Sequence, residues 1–197
     1  MQIKNAEGEV LLTLEADTLQ EVDLAGANLA GADLRGLRLR WAKFQDADLR
    51  GADLRWAKLN GANLRGADLR DADLERSSLE AAKLQEANLE FANLQSADLQ
   101  DTDLTGANLV NANLRWAKLQ QANLTGANLT GADLQNAMLP AGVIFIYGLP
   151  YDVAIIHGYI SIGCKRNRIA CQNHHVDTWK AFSDEEIANM GGDVLGF

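Results

Sequence analysis

From Val22 to Ala141 the chain repeats one five-residue pattern, A(D/N)Lxx, without a break in register. Ala27-Asn28-Leu29, Ala32-Asp33-Leu34, Ala52-Asp53-Leu54 and Ala132-Asp133-Leu134 show it plainly. Leu holds every fifth position from Leu24 to Leu139, with the apolar Phe44 as the sole exception, giving 24 consecutive centres. Ala stands two residues earlier in nearly every unit; the exceptions are Val22, Leu37, Ser77 and Thr102. The residue just before the centre is mostly Asp or Asn, and the two after it are mostly polar, charged or Gly. A period of five fits neither a helix nor a long strand, because a helix would sweep these Leu residues around its whole surface. It predicts a solenoid in which each pentapeptide forms one short side and turns a corner. The large centre and the small Ala point inward, and the other three columns face water. Each coil touches only its neighbours, so the ends need caps.

The A(D/N)Lxx units cover about 120 of the 197 residues and resemble those of the pentapeptide repeat family. The resemblance implies an all-β solenoid, a right-handed quadrilateral parallel β-helix with four pentapeptides per coil. On that geometry the 24 centres make about six coils, a stack about 29 Å long at a strand spacing of ~4.8 Å. It is specific for fold and says little about activity.

Three segments follow: an N-terminal β-hairpin cap at 1–20, the repeat at 21–141, and a C-terminal strand-plus-helix cap at 142–197. Residues 2–14 read as a hairpin with its turn at Glu7-Gly8, leaning on the first coil as a lid. After Pro140 the period disappears. Residues 143–147, 151–157 and 159–162 read as three strands, and Ser183-Asp184-Glu185-Glu186 as a capping box opening a short helix through Met190. About 55 residues are few for an independent core, so this tail is expected to cap the last coil. It resembles, more weakly, tails attached to pentapeptide repeats in phage and prophage proteins.

Composition narrows the partners. A formal charge of −9 argues against general nucleic-acid binding. No run of about 18 apolar residues exists, so no membrane span is expected. The start lacks the apolar stretch of a secretory signal, and Cys164 and Cys171 are too few for a disulfide scaffold. The expected compartment is the cytoplasm, and no cofactor is expected.

Catalytic chemistry finds little footing. Cys164, Cys171, His174 and His175 form one cluster with zinc-ligand residue types, but its spacing matches no common zinc module and Lys165, Arg166 and Arg168 intervene. Two buried or reduced thiols and a polar loop is the plainer reading. Ser161, Cys164 and His157, with Asp152 or Asp177 to orient a base, supply the types needed for nucleophilic catalysis. No nucleophile elbow, His-Glu-x-x-His or phosphate-cradling loop accompanies them, so no enzyme is expected.

The outward columns hold more. Arg-Trp-Ala-Lys occurs three times, at Arg40–Lys43, Arg55–Lys58 and Arg115–Lys118. Each Trp is expected at a corner, with Trp56 and Trp116 on one edge and Trp41 on the edge before it. Phe91 shares their column. These aromatics either shield corners and stack on cationic stems, or present Arg40, Trp41, Arg55, Trp56, Phe91, Arg115 and Trp116 as a partner-binding patch. Every fourth unit aligns Asp33, Asp53, Asp73, Asn93, Asn113 and Asp133 in one ladder and Asn28, Asp48, Asp68, Asn88, Asn108 and Asn128 in another. Such side chains hydrogen-bond turn backbone or imitate a phosphate backbone. Arg crowds the early coils, whereas 86–103 contains five acidic residues and no Lys or Arg.

The main expectation is a non-catalytic structural or protein-interaction scaffold of unknown partner, with a phage or prophage setting implied by the tail. The end caps are where a homo-oligomer would form. The alternative is a DNA mimic, since some pentapeptide repeat proteins bind type II DNA topoisomerases such as gyrase and confer resistance to their poisons. An enzyme centred on the C-terminal cap is the third reading.

Overall fold

The five-residue period closes on itself every four units. In the computed structural model, parallel bridges join residues twenty apart: Asp23 to Lys43, Asn28 to Asp48, Asp33 to Asp53 and Arg38 to Lys58. Each ladder continues through six rungs, ending at Asn123, Asn128, Asp133 and Met138. The solenoid has four sides, named here by their first ladder residues as the Asp23, Asn28, Asp33 and Arg38 faces. Residues 2–15 and 18–140 are described in full, together with the backbone of four strands beyond them.

Backbone hydrogen bonding explains the sequence pattern column by column. In the unit centred on Leu49, the Leu49 N–H donates to the Asp68 carbonyl at 2.8 Å and the Gly51 N–H to Arg70 at 2.9 Å, both in the next coil. The Asp48 N–H reaches back to Ala27 at 3.0 Å, and the Ala52 N–H closes the corner onto Leu49 at 3.0 Å. One N–H is left over, that of Arg50, and the Asp48 side chain accepts it at 3.2 Å. The same side-chain bond recurs along the rod, for instance Asn93 to Gln95 and Asn128 to Thr130. Asp and Asn therefore stand before the centre because their short side chains satisfy the one donor the coils cannot.

The inward columns are buried as expected. Every centre from Leu24 to Leu129 is at most 4% exposed, and the Ala column from Ala32 to Ala132 at most 2%, except Leu37, which is only partly buried. Each buried Leu contributes about 2 kcal/mol of apolar burial, and Ala in the alternate column lets the narrow sides close. Ser77 and Thr102 take the Ala position and are equally buried.

The corner column is the surprise. All 24 corner residues from Glu21 to Asn136 are left-handed, with φ between +55 and +70. Nine are glycine, the residue that tolerates this conformation; fifteen are not. The corner is imposed by the coil, and side chains are carried there at a cost of about 1–2 kcal/mol each.

The N-terminal hairpin is present: β1 (Gln2–Lys4) pairs antiparallel with β2 (Val10–Thr13). It leans on the solenoid through Ile3, 2% exposed within the core, and through the Asp33 N–H, which donates to the Lys4 carbonyl at 2.8 Å. Beyond the repeat, β3 (Ile144–Ile146), β4 (Asp152–Ile156), β5 (Tyr159–Cys164) and β6 (Asn173–His175) form an antiparallel sheet in that order. The three expected strands are there, and β6 replaces the polar loop expected around His174 and His175. The expected helix at 183–190 lies outside the described residues.

Candidate binding face

Outward side chains of this rod fall into two electrostatic kinds. On the Asn28 and Asp33 faces, Arg two residues after Asp folds back on it. Arg35, Arg50, Arg55 and Arg70 each engage Asp33, Asp48, Asp53 and Asp68 through two guanidinium nitrogens. Arg35 and Arg50 also reach the following rung, 3.5 Å from Asp53 and 3.7 Å from Asp68. Those hydrogen bonds, more than the surrounding charge, hold all four carboxyls below their ordinary range. Further along, amides extend the ladders: Asn93 donates to Asp73, and Asn113 to Asn93, both at 3.0 Å. An open groove of about 410 Å³ beside Ala6 is lined on the Asp33 face by the clamped Asp33, Arg35, Asp53 and Arg55 and by Asp73.

The Arg38 face is different. Its first two rungs carry Arg38 and Lys58, with Arg40 alongside, where the Asn28 and Asp33 faces carry only Asp or Asn and the Asp23 face carries Asp23 and Lys43. Arg38, Lys58 and Arg40 are exposed, and none has an ion-pair partner among the described residues. Elsewhere a Lys in this column sits beside a carboxylate one rung away: Lys43 pairs with Asp23 at 3.1 Å and Lys118 with Asp98 at 2.9 Å.

The aromatics stand at corners, as expected. Trp41, Trp56, Phe91 and Trp116 are 48–56% exposed, with φ from +57 to +60. Their placement around the rod needs one correction. Trp56 and Trp116 share an edge, but Trp41 lies on the edge after it in chain direction. Four units carry the chain from Trp41 to Gly61, past Trp56, and the Trp41 indole covers Gly61: a Cβ there would meet indole Cδ1 at 2.5 Å. Trp56 and the Trp41 ring therefore flank the Arg38 face at the level of its second rung, with Lys58 and Asn60 between them. The Arg55 guanidinium lies 5.7 Å over the Trp56 ring. Arg115 reaches Asp133 at 3.5 Å. Phe91, on the edge between the Asn28 and Asp33 faces, is not brought together with the Trp residues.

Arg38 and Lys58 were missed as site residues by reasoning from the aromatic motif. The available signal was Arg-Leu-Arg at 38–40 and Lys-Leu-Asn at 58–60, where Asp-Leu-Arg or its Asn equivalent is the rule.

In the C-terminal sheet, His174 stands opposite Ile160, while Cys164 closes the far end of β5 opposite Asp152. Four strand residues separate those two levels, about 13 Å. Ser161 pairs with Ala154 and Asn173. Cys171, His157 and Asp177 lie outside the described residues.

Comparison with known proteins follows the repeat. A family model described as pentapeptide repeats matches residues 18–51, 38–76 and 47–85, and one described as a pentapeptide repeat region matches 72–142. Neither extends into the tail. HetL, a pentapeptide repeat protein involved in heterocyst differentiation regulation in the cyanobacterium Nostoc sp. strain PCC 7120, is 37% identical. That match covers 64% of this chain and 69% of HetL, with a TM-score of 0.44. Rfr23, a pentapeptide repeat protein from the cyanobacterium Cyanothece 51142, is 32% identical over 51% of this chain and 61% of its own, with a TM-score of 0.38. QnrB1, a plasmid-mediated fluoroquinolone resistance protein, is 22% identical over 60% of this chain and 71% of its own, with a TM-score of 0.30. No curated protein matches.

Proposed function

This chain belongs to the pentapeptide repeat family, a repeat scaffold, and on that premise we propose a non-catalytic, protein-binding rod of about six right-handed coils under a hairpin cap. One observation carries the reading. Trp41, Trp56, Phe91 and Trp116 occupy left-handed corners that glycine fills elsewhere, and about half of each side chain faces solvent. A bulky side chain in that conformation is unfavourable, and its exposed area adds nothing to the core. Aromatics with cations beside them are the residues that anchor protein interfaces. A rigid coil holds them in place, so little ordering is needed on binding.

A DNA-mimic role has less support. It calls for rows of free carboxylates, whereas Asp33, Asp48, Asp53 and Asp68 are each clamped by Arg.

Affinity capture from a host-like lysate, read by mass spectrometry, compares wild type with Trp41→Gly/Trp56→Gly. Glycine keeps the corner conformation while removing the indoles. A protein retained by wild type and lost by the variant supports the reading; identical captures, or none by either protein, contradict it.

A further inference from the structure

We propose that the first two rungs of the Arg38 face, between Trp56 and Trp41, form the docking site for a short, extended acidic segment of a protein partner. This rests on the protein-binding reading above and names the chemistry of what binds.

Two departures from the repeat's own rules meet at this place. The first concerns the backbone. Where Asp or Asn precedes the centre, its side chain accepts the N–H two residues on; with Arg38 and Lys58 there instead, the Arg40 and Asn60 N–H groups have no acceptor among the described residues. The second concerns charge. Arg38 and Lys58 are ladder neighbours, and like charges directly opposite one another destabilise a strand pair. Arg40 adds a third positive charge beside them. Neighbouring carboxylates do not relieve this: Glu21 stands at the corner one rung before Trp41, and Glu80, two rungs beyond Arg40, accepts from Asn60 Nδ2 at 3.4 Å. The sequence gives up two turn bonds and accepts repulsion to hold three cations in one outward cluster. Such local inconsistency is expected at binding sites.

Shape and polarity select the occupant. The cluster spans two rungs, about 10 Å along the rod, and ends at Ser78 and Glu80 on the third rung. That is too short for a nucleic-acid backbone, and the chain's charge of −9 opposes one. The available area is on the order of 200 Å², well under the roughly 600–1,000 Å² per partner of a stable dimer, which disfavours a second copy. The bonds between coils are already made, leaving the Arg40 and Asn60 N–H groups as open backbone donors among the described residues, so recognition is mainly by side chains. Carboxylates meet Arg38, Arg40 and Lys58, and apolar residues on either side of them meet the two indoles. The fitting ligand is an acidic stretch with an apolar residue at each end, lying across the face along the rung.

The decisive variant is Lys58→Asp. It restores the acceptor for the Asn60 N–H, converts the repulsion with Arg38 into attraction, and removes a ligand-binding cation. Stability and binding are therefore expected to move in opposite directions. The probe is a fluorescein-labelled peptide of sequence Leu-Asp-Glu-Asp-Glu-Leu, titrated with the full chain by fluorescence anisotropy. A Lys-for-acid version of the peptide and a single-stranded oligonucleotide of matched length serve as comparisons. Wild type is expected to saturate with the acidic peptide and to weaken as salt rises. Lys58→Asp is expected to lower affinity about tenfold or more while raising the melting temperature, and Arg65→Gln, on the Asp23 face, to leave affinity within about twofold. Four results overturn the proposal: no saturation by the peptide, unchanged affinity in Lys58→Asp, tighter binding of the oligonucleotide, or a dimer in sedimentation that Lys58→Asp abolishes. A captured partner that survives Lys58→Asp but is lost in Trp41→Gly/Trp56→Gly would sink this assignment and leave the scaffold reading intact.

Discussion

Ser77 and Thr102 test the core's accounting most sharply, because the same column predicts opposite signs for the same kind of change. Both occupy the inward Ala position, at 1% and 0% exposure. Thr102 Oγ1 donates to the Leu79 carbonyl at 2.9 Å, whereas Ser77 Oγ has no partner. The rungs on either side of Ser77 carry Ala57 and Ala97, both fully buried, so alanine already fits this column. A buried hydroxyl without a partner costs about 1–3 kcal/mol. Ser77→Ala removes that penalty and deletes only one oxygen, so it is expected to stabilise the protein by about 1 kcal/mol. Thr102→Ala loses a satisfied hydrogen bond worth about 1 kcal/mol and a buried methyl worth about 0.8 kcal/mol. It is expected to destabilise by about 2 kcal/mol. Urea denaturation at fixed m-value reads both as midpoint shifts of opposite direction. If Ser77→Ala destabilises as much as Thr102→Ala, the Ser77 hydroxyl is bonded in solution and the column reasoning fails.

Leu69→Ala, fully buried between Leu49 and Leu89, is expected to lose about 3–5 kcal/mol, since the backbone ladder above and below resists collapse. Ala92→Leu overpacks the axis and is expected to lose about 1–3 kcal/mol, whereas Gln95→Ala, on an outward column, stays within about 0.5 kcal/mol of neutral; urea midpoints compare all three. Acid is expected to weaken the early coils. The clamped carboxyls of Asp33, Asp48, Asp53 and Asp68 are lowered chiefly by hydrogen bonds from Arg. Their contribution is therefore complete above the unfolded value of about 3.9 and is lost as pH falls through the folded values beneath it. Melting scans should drop below about pH 4 and drop less steeply in Arg50→Gln/Arg70→Gln; parallel curves would contradict the clamp as cause. The partly exposed pairs make this a modest effect.

How much was legible in the sequence differs by column. The inward Leu and Ala columns were plain, because a strict period of five leaves one arrangement that buries both. The role of Asp and Asn as backbone acceptors was legible as one of two readings. The Arg clamps were not singled out, although Asp-Leu-Arg at 33–35, 48–50, 53–55 and 68–70 spells them. Left-handed corners were half visible: Gly26, Gly31 and Gly36 suggest them, but Trp41, Asp46 and Ala81 in the same column disguise them. Their conformation comes from the coil's closure, which overrides what each residue prefers locally. The edge of Trp41 was miscounted, and the correction turns three scattered motifs into two indoles on either side of one basic face. The C-terminal β6 escaped because Asn173-His174-His175 has no strand pattern of its own; its pairing with β5 places it.

The central claim is that the corner aromatics serve binding and not the fold. The most direct test is the melting temperature of Trp41→Gly/Trp56→Gly/Phe91→Gly/Trp116→Gly. Relief of left-handed strain, about 1–2 kcal/mol per corner, offsets lost side-chain contact and the greater chain entropy of glycine. The account predicts a midpoint within about 5 °C of wild type. A fall of about 15 °C or more would mean that the aromatics hold the coils together, and the claim would be wrong.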